Sequence, residues 1–342
     1  MLQLSRRYTS VWSFLAIVLI VIFLLSLCFG AIVIRPEEVF YSVRNYFSSN
    51  PLQLNERIFL DIRLPRAISC VFVGASLAMA GVLMQALFRN PIVEPGLVGT
   101  SSGAALGASL YFVLGATFKF NAGVWTLPLA ASLGGALATL LVFFLSHRLD
   151  GRQSVISLLL TGIAVNAICL SGVGLMSYLA RDPQARSITF WNLGTLSGSN
   201  WNTAIIVGLS ALVCLIIALR FAKELNALAM GESEALHLGV HLGRLKISVI
   251  ALTVVLVATA TAFVGVISFV GLIVPHLLRL IKGSDNRYLL IGSALLGGTL
   301  LSLADLAARL MLAPAELPIG IVTSVVGVPV FIFLLRRNQH YL

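Results

Sequence analysis

Polar residues along this chain come in short breaks between long apolar runs. Ten such runs stand out, at residues 11 to 34, 65 to 87, 96 to 115, 123 to 146, 154 to 179, 201 to 222, 246 to 266, 268 to 281, 288 to 311 and 318 to 335. A hydrocarbon core of about 30 Å takes about 20 apolar residues as a helix, so the pattern predicts about ten transmembrane helices in a single domain over residues 1–342. The eighth run is short and interrupted by Pro275. Lipid cannot satisfy a broken backbone, so protein must shield that segment. Stretches such as "GASLAMAG" at 74 to 81, "GTSSGAALGAS" at 99 to 109 and "GSALLGG" at 292 to 298 place small residues at helical spacing, which lets helix backbones approach closely.

Composition agrees with an all-α integral membrane protein. Of 342 residues, 58% are hydrophobic and 11% charged, with a mean hydropathy of +0.99, where soluble domains carry about 25% charged residues. The net charge of +10 does not point to nucleic acid, because the cations stand singly between apolar runs and form no basic stripe. Cys28, Cys70, Cys169 and Cys214 all lie inside apolar runs without CxxC spacing, so packing is their expected role. The first run follows Arg6 and Arg7. It is too long for a signal-peptide core and has no A-x-A site, and it reads as a retained helix.

Positive charge orients the chain. With both termini in the cytoplasm, fourteen Lys and Arg residues fall inside and nine outside. Residues of about 223–245 then form a cytoplasmic loop, and about 35–62 and 180–200 form periplasmic loops. This orientation puts Arg63 and Arg66, in "DIRLPRAISCVFVG", on the outer face where positive charge is disfavoured. Arg309 joins them at the outer end of the ninth run, four residues after Asp305. Asp305 and Arg309 can form a same-helix pair worth a few tenths of a kcal/mol. Alternatively, an acid within a span has a partner elsewhere.

Residues for catalysis are missing from the pattern. None of Lys119, Lys223, Lys246 and Lys282 sits in a GxxxxGK[ST] loop, so any ATP would be bound by another subunit. There is no HExxH pair and no acid cluster within the runs that would hold a metal; no cofactor is expected. The loop "ELNALAMGESEALHLGVHLGRLK" differs from a solvated linker. It reads as a short amphipathic turn with apolar Leu228, Met230, Ala235 and Leu236, acidic Glu232 and Glu234, and a stop at Gly239. A soluble partner could grip such a knob.

Four stretches, "RLPRAISCVFVGASLAMAGVLMQALFRNPIVEPGLVGTSSGAALG", "GESEALHLGV", "GVISFVGLIVPHLLRL" and "ELPIGIVTSVVGVPVFIFLLRR", closely resemble the permease subunits of type II ATP-binding-cassette importers. This is the FecCD-like family that takes up ferric siderophores, heme and vitamin B12 in bacteria. The resemblance implies ten helices per subunit, a homodimer or paired heterodimer in the inner membrane, and a pathway along the dimer axis lined largely by the fifth helix. It implies that two copies of a soluble ATPase grip the loop containing Leu228, Met230, Gly231, Glu232, Ala235, Leu236 and Gly239. It also implies that acids of a periplasmic binding protein meet Arg63, Arg66 and Arg309. The family's cytoplasmic gate maps to Asn90 and Ile92 in "RNPIVEPG" and to Ser154 and Val155 at the start of the fifth helix. The phrase "FWNLGTLSG" resembles the iron-chelate and heme branch more than the vitamin B12 branch. An ion-coupled secondary transporter would instead need ionisable residues near mid-membrane, and an intramembrane enzyme would need an acid, base or metal constellation.

Overall fold

The computed structural model describes residues 2–30, 32–47, 53–115, 118, 123, 125–146 and 155–337. Every regular element among them is helical. In chain order these are α1 (Leu2–Cys28), α2 (Pro36–Phe47), α3 (Leu54–Phe88), α4 (Thr100–Leu110), α5 (Thr126–Ser146), α6 (Val155–Leu179), α7 (Asp182–Leu193), α8 (Trp201–Leu228), α9 (Glu232–His237), α10 (Leu242–Val264), α11 (Val270–Lys282), α12 (Asn286–Met311) and α13 (Ile319–Arg337). Seven of them, α1, α3, α5, α6, α8, α10 and α12, contain a stretch long and apolar enough to cross a membrane. Shorter α4, α11 and the apolar part of α13 bring the apolar segments to the ten that the sequence pattern predicts.

The expected boundaries shift where polar chemistry intervenes. The first run stops being helical at Cys28, not at residue 34. The second begins earlier, because α3 reaches back to Leu54 through a wide turn over Ile58–Arg63. The expected outer loops are themselves partly helical: α2 carries Glu37 and Glu38 in its first turn, where a helix dipole favours acids, and α7 opens with Asp182 and Pro183. On the other side, α8 continues to Leu228 and α10 starts at Leu242, so the cytoplasmic loop expected over 223–245 shortens around the small helix α9.

α3 is the central column. It packs against α12, α8, α10 and α11 and is buried nearly all round, whereas α6 leaves most of its surface uncovered. Close approach rests on glycine: a Cβ on Gly74 would stand 2.2 Å from the Gly297 carbonyl oxygen of α12, and one on Gly297 would stand 2.4 Å from that of Gly74. Only a backbone without side chains fits such a contact.

The short α11 needs a further device. Pro275 has no N–H to give the carbonyl four residues earlier, and in a membrane an orphaned carbonyl is costly. That carbonyl belongs to Gly271, and the Gln85 side chain of α3 supplies the missing donor: its Nε2 donates to Gly271 O at 3.2 Å and to Leu272 O at 3.4 Å. The amide oxygen of Gln85 accepts from Arg279, one turn below the proline. The two backbones come close enough for this because a Cβ on Gly81 would stand 1.9 Å from the Gly271 oxygen.

Replacing Gln85→Leu should therefore destabilise the protein by about 1–3 kcal/mol, the cost of a buried unsatisfied polar group. Pro275→Ala in the same chain should recover part of the loss by restoring the N–H. Thermal unfolding of the single and double variants in detergent tests this; strictly additive effects would show that Gln85 does not serve the proline break.

Candidate functional site

At the ends of α1, α3 and α12 that are expected to face outward, the three arginines singled out by the sequence lie together and buried. Each has partners within the chain. The last four carbonyls of a helix have no partner of their own, and α1 ends at Cys28 with its carbonyls facing Arg63 and Arg309. Arg63 Nη1 donates to Leu27 O and Cys28 O, both at 3.0 Å, while its Nη2 reaches Ile32 O. Arg309 donates to Phe29 O at 3.1 Å and to Ser26 Oγ at 2.7 Å. A Cβ at Gly30 would meet Arg63 Nη2 at 2.9 Å and Arg309 Nη1 at 3.2 Å, so a side chain there would push the two guanidinium groups from their present places. Cations here also complement the negative end of the α1 dipole.

Asp305 realises both alternatives left open by the sequence. Its Oδ2 lies 2.9 Å from Arg309 Nε on the same helix, and its Oδ1 accepts from Arg66 Nε at 3.1 Å and Nη2 at 2.8 Å across to α3. Arg66 Nη1 then holds both carboxylate oxygens of Glu316 at 2.9 Å. Sequence reading missed Glu316. Its signal was an acid alone in the apolar loop "MLAPAELP".

On the side expected to face the cytoplasm, α9 forms the expected knob, and the structure divides its residues into footing and surface. Leu228, Gly231 and Ala235 are buried in the chain's own packing, whereas Met230 and Leu236 are exposed. Leu238, absent from the sequence-based set, is exposed beside them. Gly231 at φ +143° and Gly239 at φ +82° bound the knob in conformations that favour glycine. Glu232 is tied to Lys246 at 2.9 Å. A hydrogen bond from Ser233 holds the Glu234 carboxyl below the ordinary carboxylate range, with His237 and Arg89 adding to the effect. Arg89 is the left-handed cap of α3, at φ +49°; it opens the turn expected to belong to the gate.

In that turn Asn90 Oδ1 accepts from the Ile92 N–H at 2.9 Å, and the Ile92 side chain is exposed. Ser154 lies outside the described residues, and Val155 is placed as the first residue of α6 without a described side chain. α6 meets the gate segment further along, where Asn166 Nδ2 donates to Gly96 O at 3.3 Å and Gly162 packs on the Leu97 carbonyl. Instead of remaining a surface turn, the segment after Asn90 folds back so that Glu94 Oε1 accepts the Phe269 N–H at 3.1 Å, just before α11. A cavity of about 520 Å³ opens between this segment, α4, α6 and α7. Polar groups of Glu94, Ser101, Ser102, Asn166, Asn192 and Ser268 reach it. Of these, sequence reading had singled out none.

Known proteins share this architecture over nearly the full chain. The profile of the FecCD transport family matches residues 18–337. The hemin transport system permease HmuU of Yersinia pestis is 38% identical over 326 residues, which is 95% of each protein. The vitamin B12 import system permease BtuC of Escherichia coli O127:H6 is 38% identical over 323 residues, 94% of each. A solved structure described as an inward-facing conformation of a metal-chelate type ABC transporter superposes with a TM-score of 0.84 at 32% identity, covering 96% of this chain and 99% of that one.

The division of the knob has a direct test in protein stability. Ala235→Asp places a charge in closed packing and should lower the unfolding temperature sharply, whereas Leu236→Asp and Leu238→Asp should change stability by less than about 0.5 kcal/mol, as surface substitutions do. Equal loss in all three would mean that Leu236 and Leu238 are also footing.

Proposed function

Because this chain belongs to the FecCD transport family, and is thus the membrane permease of a type II ABC importer, we propose that it carries an iron chelate, heme or a ferric siderophore, from periplasm to cytoplasm. The observation that carries the transport reading is the cavity of about 520 Å³ between α4, α6 and α7, with polar groups spaced along otherwise apolar walls. Such a lining suits a bulky ligand with a few polar edges. The hemin permease relative supports the iron-chelate reading, as does the "FWNLGTLSG" stretch. Vitamin B12 is the second reading, since a vitamin B12 permease is equally identical.

Two copies of the chain, related by a two-fold axis beside the uncovered α6, form the pathway in this reading, with both termini in the cytoplasm of a bacterial inner membrane. Asn90, Ile92, Ser154 and Val155 then belong to the inner gate. Two copies of a separate ATPase supply the energy, gripping Met230, Leu236 and Leu238 of the knob; Leu228, Gly231, Glu232, Ala235 and Gly239 hold that surface in shape. A periplasmic binding protein docks over Arg63, Arg66 and Arg309. Support for the docking site is their convergence at one outer corner, where three cations face two carboxylates.

Uptake of labelled heme, ferric siderophore and cobalamin should be measured in a deletion strain carrying this permease with its ATPase and binding protein. Iron-chelate accumulation without cobalamin accumulation is expected; cobalamin accumulation alone would favour the second reading. In the same strain, Leu236→Asp and Leu238→Asp should abolish co-purification of the ATPase while the permease still folds, and an unchanged complex would remove the knob from that role.

A further inference from the structure

The two carboxylates held by Arg66 differ in how readily they can be exchanged. Asp305 sits within α12 with its side chain 1% exposed, and both of its oxygens face arginines. Glu316 belongs to the loop between α12 and α13, and its side chain is 34% exposed. Residues 311–316 are exposed throughout, and the backbone is next tied down where the Leu317 N–H donates to Ala308 O at 3.2 Å. Glu316 binds through one nitrogen of Arg66, whereas Asp305 is bound through two. A carboxylate arriving from outside thus meets Glu316 first, on the solvent side of the same guanidinium.

Charge makes the exchange feasible. Removing Asp305 would leave Arg309 buried without its carboxylate and Arg66 with only the part-exposed Glu316, which is strongly disfavoured. Releasing Glu316 moves an already part-exposed carboxylate into water while another takes its place on Arg66, so the number of charge-assisted bonds is conserved. Without that replacement, Glu316 covers the only outward-facing donor of Arg66 that the structure shows in use.

We propose that Glu316 is a displaceable internal ligand of Arg66, a built-in competitor that occupies the docking position until an acidic side chain on the binding protein takes it over. This rests on the docking reading above. It makes Glu316 a determinant of docking affinity, with a sign opposite to that of the arginines. The partner it fits is a folded protein surface presenting a Glu or Asp on a rigid element. Met311 and Leu312, exposed next to the loop, supply an apolar rim for that contact.

The test uses the full permease–ATPase complex in nanodiscs and the periplasmic binding protein of the same uptake system as the probe. Glu316→Gln should tighten binding by about two- to fivefold at low salt, the range for a partly screened charge pair, and Arg66→Gln should weaken it and abolish the gain from Glu316→Gln. If Arg66→Gln weakens binding but Glu316→Gln leaves it unchanged or weakens it too, docking stands and the exchange is overturned. Unchanged binding in Arg66→Gln overturns the docking reading and the exchange together. Arg66→Gln leaves a buried carboxylate short of a partner and can fail to fold, so a spin label at Ala315→Cys, exposed beside Glu316 and outside that rim, provides a second measurement with both charges in place. Its mobility should rise when the binding protein binds, and an unaltered spectrum at saturation would also overturn the proposal.

Discussion

Asp305 is the point on which the outer half of this structure depends. A carboxylate in a transmembrane helix is tolerated only with partners, and here it has one on each side: Arg309 on its own helix and Arg66 on the central column α3. Arg309 and Arg63 in turn tie the end of α1 to α12 and α3. Arg309, with Arg63 beside it, closes the carbonyl end of α1, a helix that leaves most of its surface uncovered. The cluster therefore supplies a reason for positive charge at the end of the helices where the expected orientation disfavours it. Its cations answer a helix end and a buried acid, and a part of that charge remains directed toward the surface through Arg66 and Glu316.

α12 carries this constraint across the molecule. Its start is capped by Asp285, whose Oδ1 accepts the Tyr288 N–H at 3.0 Å and whose Oδ2 accepts from Asn226 of α8 at 3.0 Å. Asn226 also accepts from the Asn286 N–H at 2.8 Å. At mid-length the Gly74 and Gly297 contact locks α12 on α3, and at the outer end Asp305 and Arg309 complete the cluster. One helix thus joins the end of α8, two residues before the buried footing of the knob at Leu228, to the outer corner where the arginines meet. A helix of 26 residues fixed at three levels is a rigid spacer between the two faces that a transporter must coordinate.

Much of this was legible in the sequence, for identifiable reasons. The ten apolar runs were visible because bilayer thickness dictates helix length, and the knob was visible because apolar side chains in a cytoplasmic loop need a reason. Helix ends were harder. Nothing in the apolar run from Val11 to Ile34 shows that the helix stops at Cys28, since the arginines that take up its final carbonyls come from α3 and α12. Gln85 looks like an ordinary polar residue near a helix end until Pro275, far away in sequence, is set against it. Glu94 was quoted in a motif but given no role of its own, because folding the chain back toward α11 is a tertiary event. The footing residues Leu228 and Ala235 could not be told from the surface residues Met230 and Leu236 by hydrophobicity, which is the same for both jobs.

The most direct measurement of the central claim compares the stability cost of removing each carboxylate of the outer cluster. If Asp305 is the internal counter-charge on which α1, α3 and α12 depend, Asp305→Asn should cost about 3–5 kcal/mol, as expected for a buried pair broken on one side. Glu316→Gln, at the exposed margin, should cost no more than about 1 kcal/mol. Reversible unfolding of the two variants in mixed micelles gives both numbers under one condition. A large gap in favour of Asp305 is the predicted result, and equal, small losses at the two positions would contradict the account.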